Sequence, residues 1–338
     1  MTAVFNSIIM QNAINLIKSS KDILILTHKS PDGDAVGSVL GLGQALNSLG
    51  KNAECFSKDI VPDVFDFLPN VSAIKNQTDL RNYDLVILLD CALFSRTGLN
   101  SIKDIIDSFN NLLVIDHHPE KMIESGYLDN YESIVDPSAS STAVLIYNFL
   151  KELNLKITKD IAHCLLTGIF TDTGGFQHSN TDVQTLQVAA ELMKKGPRVD
   201  KIARNIFNSK SVSAIKLWGK ALARIQRDEN NEMVVSYLSK KDIEECGAKQ
   251  EDTSGLVSVI NMVSDAKFSL LLTESDDNKI KGSLRSEEYK GIDVSRIAKS
   301  LGGGGHKLAS GFEVKGGDVK GGVEKIKEMI LEAKMKYK

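Results

Sequence analysis

Apolar and polar positions recur with several different periods along this chain, and each change of period marks an element. Between residues 7 and 20, Ile8, Ile9, Ile14 and Ile17 fall roughly on one side of a 3.6-residue repeat, which predicts an amphipathic helix. The unbroken apolar run at 23–27 predicts instead a strand buried on both faces, as in a parallel sheet. The turn Ser30-Pro31-Asp32-Gly33 follows, and helical spacing resumes over 35–49 until Gly50 stops it. Runs at 85–89 and 112–115 repeat the buried-strand pattern, each delivering a carboxylate, Asp90 or Asp116, at its carboxyl end. Ligand sites of open parallel sheets lie at those ends, so these acids are expected to share one crevice. Residues 139–194 have mostly helical spacing, broken at Thr171-Asp172-Thr173-Gly174-Gly175. Farther on, strand spacing at 233–238, 268–272 and 279–284 mixes with helical spacing at 254–263, 294–299 and 323–334.

This order predicts an α/β protein: an N-terminal parallel-sheet domain with helices on both faces over 1–195, a helical, charged linker over 196–227, and a smaller mixed α/β domain over 228–338. A length of 338 residues with 42% hydrophobic content supports two cores. No run of about 18 uncharged apolar residues occurs, and no basic segment precedes a long apolar one at the amino terminus. A cytoplasmic location without a membrane span is therefore expected. The four cysteines are scattered without Cys-x-x-Cys spacing, so they are expected as reduced, buried residues.

Charge divides the chain. Residues 1–190 hold 13 Lys and Arg against 22 Asp and Glu, a balance of -9, whereas residues 191–338 hold 28 against 22, a balance of +6. An acidic half suits divalent cations and a basic half suits an anionic substrate. The net charge of -3 disfavours avid binding to long nucleic acid, so a short anionic ligand is the better fit.

The acids and imidazoles sit where chemistry is expected. His28, Asp32 and Asp34 share one short loop after a buried strand, with Pro31 stiffening it and Gly33 read as permitting the backbone to turn both aspartates inward. The alternative role for the aspartates, capping the next helix, needs only one of them. Asp116-His117-His118 places two imidazoles side by side, one able to ligate while the other faces substrate. With Asp90 and Asp172, the set suits a pair of divalent ions, and its oxygen-rich, thiolate-free character favours Mn2+ over Zn2+. His163, within an apolar helical stretch, reads as a packing residue; His178 lies near the Asp172 turn. The run Gly302-Gly303-Gly304-Gly305-His306 suggests close backbone approach to a ligand, because four successive glycines cost much entropy on ordering. It fails the P-loop pattern, since His306 precedes Lys307 and no Ser or Thr follows. Gly41-Leu42-Gly43 likewise fails as a dinucleotide fingerprint.

In order and context, His28-x-x-x-Asp32-x-Asp34, Asp90, Asp116-His117-His118 and Asp172, followed by the glycine run and His306, resemble the DHH phosphoesterase family with its glycine-rich C-terminal domain. Length and the absence of further modules are similar to its nanoRNase/pAp phosphatase branch. The resemblance implies two Mn2+, with Mg2+ or Co2+ able to replace them. His28, Asp32 and Asp90 would hold one ion, and Asp34, Asp90, His117 and Asp172 the other, with Asp90 bridging. It implies attack of a bridging water on phosphorus, Asp116 orienting an imidazole, and His118 on the substrate side. Arg96 would fork a phosphate, while Arg285, His306 and the backbone of Gly302, Gly303, Gly304 and Gly305 would grip a terminal phosphate in an interdomain cleft. The implied substrates are oligoribonucleotides of about 2–5 nucleotides, pAp and linear dinucleotides, with no long duplex and no membrane partner; a homodimer is compatible with the sequence. Two other functions fit less well: a phosphodiesterase of cyclic-dinucleotide turnover acting on pApA or c-di-AMP, and a non-catalytic nucleotide-binding regulator, which the complete acid and histidine set disfavours.

Overall fold

The structure, a computed structural model, describes residues 2–77, 83–91, 94–99, 111–118, 131–207, 210–275, 279–305, 307–316 and 318–335. The chain divides into two compact units, Met1–Ser209 and Lys210–Lys338. The segment expected as a linker contributes a helix to each, Val199–Phe207 to the first and Val212–Ala223 to the second. Among the described residues no helix is long and apolar enough to cross a membrane.

The first unit is built on a six-stranded parallel sheet. Its strands are β1 (Asp22–Leu26), β2 (Asn52–Phe56), β3 (Ile74–Lys75), β4 (Leu85–Leu89), β5 (Leu112–Asp116) and β6 (Glu132–Val135), in the order β3-β2-β1-β4-β5-β6. The central strands are apolar between their end residues because both faces are covered. Ile23, Ile25, Ile87, Leu89, Leu113 and Ile115 join one core, and Leu24, Leu26, Val86, Leu88 and Val114 join another. Strand order reverses between β1 and β4, and such a switch point opens a crevice at the carboxyl ends.

Helices α1 (Thr2–Ser19), α2 (Gly33–Ser48), α3 (Thr142–Glu152), α4 (Lys159–Asp172) and α5 (Val183–Met193) contribute to the first core. Helices α2 and α4 approach closely because glycines recur every fourth residue along α2. A Cβ on Gly33 would lie 2.4 Å from Thr171 Oγ1, one on Gly37 2.4 Å from Cys164 O, and one on Gly41 2.6 Å from Leu165 Cδ2. This corrects the reading of Gly33: it supplies space for helix packing, and its φ is not in the left-handed region. Gly41 likewise belongs to the packing stripe. The consequence is functional, since antiparallel contact at this distance brings the start of α2, with Asp34, against the end of α4, with Asp172.

The second unit holds a mixed six-stranded sheet, β7 (Gln226–Asp228), β8 (Met233–Leu238), β9 (Phe268–Glu274), β10 (Lys279–Ser286), β11 (Gly304–Gly305) and β12 (Ala309–Lys315), ordered β11-β12-β10-β9-β8-β7. Among the described residues only β8 and β9 pair in parallel. Cores form on both sides of it. One gathers Phe268, Leu270, Leu284, Ile297, Ile326 and Ile330, and the other Leu217, Ala221, Leu238, Leu256 and Ile260.

Candidate metal centre

Three loops at the carboxyl edge of the parallel sheet and the end of α4 deliver the titratable groups to one place. The ligand atoms of His28, Asp32 and Asp90 lie within 4.8 Å of one another, as do those of Asp34, His117 and Asp172, and those of Asp90, His117 and His118. Asp90 stands in the middle. Its Oδ2 is 3.6 Å from His28 Nε2, and its Oδ1 is 3.6 Å from His117 Nε2 and 3.5 Å from His118 Nδ1. His117 Nε2 is also 3.7 Å from Asp172 Oδ2. These separations exceed a hydrogen bond. They approach the spacing of two donors that each lie about 2.1 Å from a shared ion.

Each side chain is held for that arrangement. The imidazoles of His28 and His117 use Nδ1 on backbone carbonyls, Lys29 O at 2.8 Å and Ala139 O at 3.3 Å, which turns Nε2 toward the acids. His118 is tied differently: Asp116 Oδ1 accepts from its Nδ1 at 2.6 Å and from its backbone N at 3.0 Å. The two adjacent rings meet edge to face with centroids 4.6 Å apart. Asp32 caps α2 with Oδ1, which accepts from the N–H groups of Asp34 and Ala35, both at 3.1 Å, and its Oδ2 stays out of the cap. Asp90 adopts φ +53°, a left-handed conformation that costs energy for a residue other than glycine.

Contacts that sequence reasoning missed come from α3. The first N–H groups of that helix, from Thr142 and Ala143, donate to Asp34 Oδ2 and Oδ1 at 2.6 and 3.0 Å, and the Thr142 hydroxyl donates to Asp90 Oδ1 at 3.1 Å. The positive end of the helix thus faces two acids. Asp172 has the opposite situation. As the last residue of α4 it sits at the negative helix end, where a carboxylate is disfavoured unless a cation is near. Asn180 Nδ2 donates to Ser140 O at 3.0 Å and Asp172 O at 3.3 Å, fastening the loop before α3 to the end of α4.

The electrostatics fit a cation. Burial, then the charges of Asp90, Asp172 and Asp32, push the Asp34 carboxyl well up. Burial, then Asp32 and Asp90, do the same to Asp172. Burial also opposes ionisation of Asp90, but His28, His117 and His118 together outweigh it and hold that carboxyl below the usual range. His28 and His118 go up: burial opposes their protonation, and Asp90 and Asp32 around the first, Asp116 and Asp90 around the second, prevail over it.

These shifts predict how the metal-free protein responds to pH. Asp34 and Asp172 retain protons in the folded chain that the unfolded chain has released, so stability falls as pH rises through their raised values. The contributions of His28 and His118 are complete below about 6.5 and are lost as pH rises through their raised values. Asp90 acts oppositely, losing its contribution only in acid. EDTA-treated protein is therefore expected to melt several degrees lower at about pH 8 than at about pH 6. The Tm increment from added Mn2+ should grow over the same interval as protons leave the ligands. Thermal melts at both pH values, with and without Mn2+, check this.

Other residues singled out from the sequence fall as follows. Arg96 lies within a short turn, Phe94–Thr97, close enough for its charge to oppose protonation of His118. His163 packs against Phe67, with ring centroids 5.6 Å apart. His178 is exposed, and its ring covers Gly174.

In the second unit, Arg285 is half-buried and donates from Nη1 to Leu284 O at 2.9 Å, with no carboxylate partner among the described residues. Burial lowers its pKa. Strand alternation puts it on the same face of β10 as Lys281, which with Gly302, Gly303, Gly311, Phe312 and Glu313 lines an open depression. Three of the four glycines have reasons internal to the chain, Gly302 through its left-handed φ of +78° and two through close contacts. A Cβ on Gly303 would lie 2.1 Å from Gly311 O, and one on Gly305 2.6 Å from Ala309 O. Gly302 and Gly304 face open space. His306 lies outside the described residues.

The family model described as the N-terminal domain of the DHH family matches residues 22–169, and that of the DHHA1 domain matches 230–335. A protein of Thermus thermophilus named bifunctional oligoribonuclease and PAP phosphatase NrnA is 33% identical over 311 residues, covering 92% of this chain and 89% of its own. The chain belongs to the DHH family. Its parallel-sheet unit contains the DHH domain, and its mixed-sheet unit contains the DHHA1 domain. Among solved structures, an exopolyphosphatase-related protein from Bacteroides fragilis superposes with a TM-score of 0.86 at 28% identity, covering 96% of both chains. RecJ from Thermus thermophilus, solved in complex with Mn2+, shares the fold at 14% identity and a TM-score of 0.58, covering 96% of this DHH chain and 54% of its own.

Proposed function

We propose that this DHH protein is a Mn2+-dependent phosphoesterase that hydrolyses short oligoribonucleotides to mononucleotides, and 3'-phosphoadenosine 5'-phosphate to AMP and phosphate. The observation that carries the reading is a chain of overlapping donor groups: Asp90 is shared by His28 with Asp32 and by His117 with His118, and His117 is shared in turn with Asp34 and Asp172. The name of the Thermus relative supports the substrate class. His28, Asp32 and Asp90 would hold one divalent ion, and Asp34, Asp90, His117 and Asp172 the other. Bound there, such ions supply Lewis-acid stabilisation of phosphoryl oxygens and a water of lowered pKa.

The chain's own residues do the rest. Asp116 holds Nδ1 of His118, which leaves Nε2 to carry a proton to the departing oxygen. Arg96, beside His118, takes an oxygen of the scissile phosphate. Arg285 takes the substrate's terminal phosphate, because a half-buried guanidinium without a carboxylate is stabilised by an anion, and Gly302 and Gly304 leave their backbone open to the same group.

Turnover of pApA after EDTA treatment, with and without restored Mn2+, tests the reading: activity must vanish and return. Arg285→Ala is expected to raise KM for pApA about tenfold or more while changing KM for ApA less than about threefold. Steady-state kinetics on the two dinucleotides check it.

A further inference from the structure

Beside the metal centre, an acidic unit concentrates positive charge that no ion pair among the described residues uses. Residues 1–190 hold 13 Lys and Arg against 22 Asp and Glu, yet three of the 13, Lys29, Lys58 and Arg96, meet at one junction. Lys29 N donates to Arg96 O at 2.7 Å. A Cβ placed on Gly98 would stand 3.1 Å from Lys58 Cγ and 3.7 Å from Lys29 Cβ, so the loops after β1 and β2 close on the turn that carries Arg96. The register agrees: Leu26 pairs with Phe56, which puts His28 and Lys58 at equivalent positions beyond the strand ends. Lys29 and Lys58 are exposed and Arg96 is half-buried. Asp59 lies at the junction, and its Oδ2 accepts from Ser30 N at 2.8 Å and Ser30 Oγ at 3.1 Å; the other acids beside it, from Asp32 onward, are those gathered at the metal centre.

Three separate loops thus bring the stems of three basic side chains to the rim of the acid cluster, and Lys29 and Lys58 remain exposed there. Their place is informative as well. Lys29 directly follows His28, whose ring faces Asp90, and the charge of Arg96 reaches His118. With Arg96 on the scissile phosphate and Arg285 on the terminal one, the two lysines remain without a phosphate to serve. Lysine suits a phosphodiester whose position varies, since it is a point charge on a flexible stem.

We infer that Lys29 and Lys58 form a phosphate subsite at the edge of the metal centre, taking the phosphodiester one nucleotide beyond the scissile bond in the strand that keeps the attacked phosphate. The inference rests on the phosphoesterase reading and adds a preference within it. Substrates of three or more nucleotides gain a contact that pApA and pAp lack, and nothing is gained from a fourth or fifth phosphate.

The test compares pApA with pApApA on the wild type and on the double variant Lys29→Ala/Lys58→Ala, with Mn2+ at low salt. The double variant is expected to raise KM for the trinucleotide about five- to tenfold and to change that for the dinucleotide less than about twofold. Lys29→Arg/Lys58→Arg should restore the trinucleotide value, which a merely structural role would not predict. In the wild type, KM for the trinucleotide should climb more steeply with salt, by about one phosphate contact. Equal changes for both substrates, or none for either, would overturn the subsite. Calorimetric titration of both oligonucleotides onto EDTA-treated protein reads the same contact without turnover. The wild type should prefer the trinucleotide and the double variant should not; absence of preference in the wild type also overturns it. The parent reading fails on a different result, a Mn2+-loaded wild type that hydrolyses neither oligonucleotide.

Discussion

Asp90→Asn is expected to lower kcat/KM on pApA by at least about a thousandfold with Mn2+ present. The size follows from position. Asp90 is buried, its two oxygens face His28 on one side and His117 and His118 on the other, and two donor groups share it. Removing its charge therefore weakens both halves of the centre, whereas loss of Asp32 or Asp172 weakens one. Asparagine is the informative substitution because it keeps the shape and tolerates the φ of +53° that position 90 requires. The variant should fold, as judged by its circular dichroism and by a Tm near that of the metal-free wild type. Bound Mn2+ per chain, read by elemental analysis, should drop in parallel with activity. Wild-type turnover by Asp90→Asn would remove the shared carboxylate from the account.

His117→Ala and His118→Ala are expected to fail in different ways. His117 turns Nε2 toward Asp90 and Asp172 while Ala139 O anchors the other nitrogen, so its loss should weaken Mn2+ binding by about a hundredfold, and high Mn2+ should recover part of the rate. His118 is fastened to Asp116, so its loss should leave metal content unchanged and lower kcat by about a hundredfold or more. The wild-type profile should also lose its alkaline limb in His118→Ala, because His118, held above its ordinary value by Asp116 and Asp90 against burial, would supply the acid in the proposed mechanism. Equal metal loss in the two variants would contradict this division.

Much of this was legible in the sequence, for reasons that can be named. The strands that deliver Asp90 and Asp116 are unbroken apolar runs up to the acid because both faces are buried. The edges were less visible. Asn52–Phe56 and Glu132–Val135 are short, only partly buried and interrupted by polar residues, and Ala309–Lys315 contains Gly311 and Glu313, so their spacing resembles loop. Glycine was the main source of misreading. A sequence shows where Cβ is missing and not what occupies its place: Gly33 makes room for Thr171, and Gly303 and Gly305 make room for β12. Long-range support was invisible for the same reason, since the helix end that holds Asp34 lies 108 residues away at Thr142.

The central claim is that this centre serves short substrates, because one anchored phosphate and a few neighbouring contacts supply the affinity, and long backbone tracking does not. The most direct measurement is turnover per enzyme with Mn2+ on 5'-phosphorylated RNA of two, three, five and about 24 nucleotides at equal, saturating concentrations of ends. The account predicts high rates from two to about five nucleotides and a fall of at least about tenfold for the 24-mer. Equal rates on the 24-mer and the shortest substrates would contradict it.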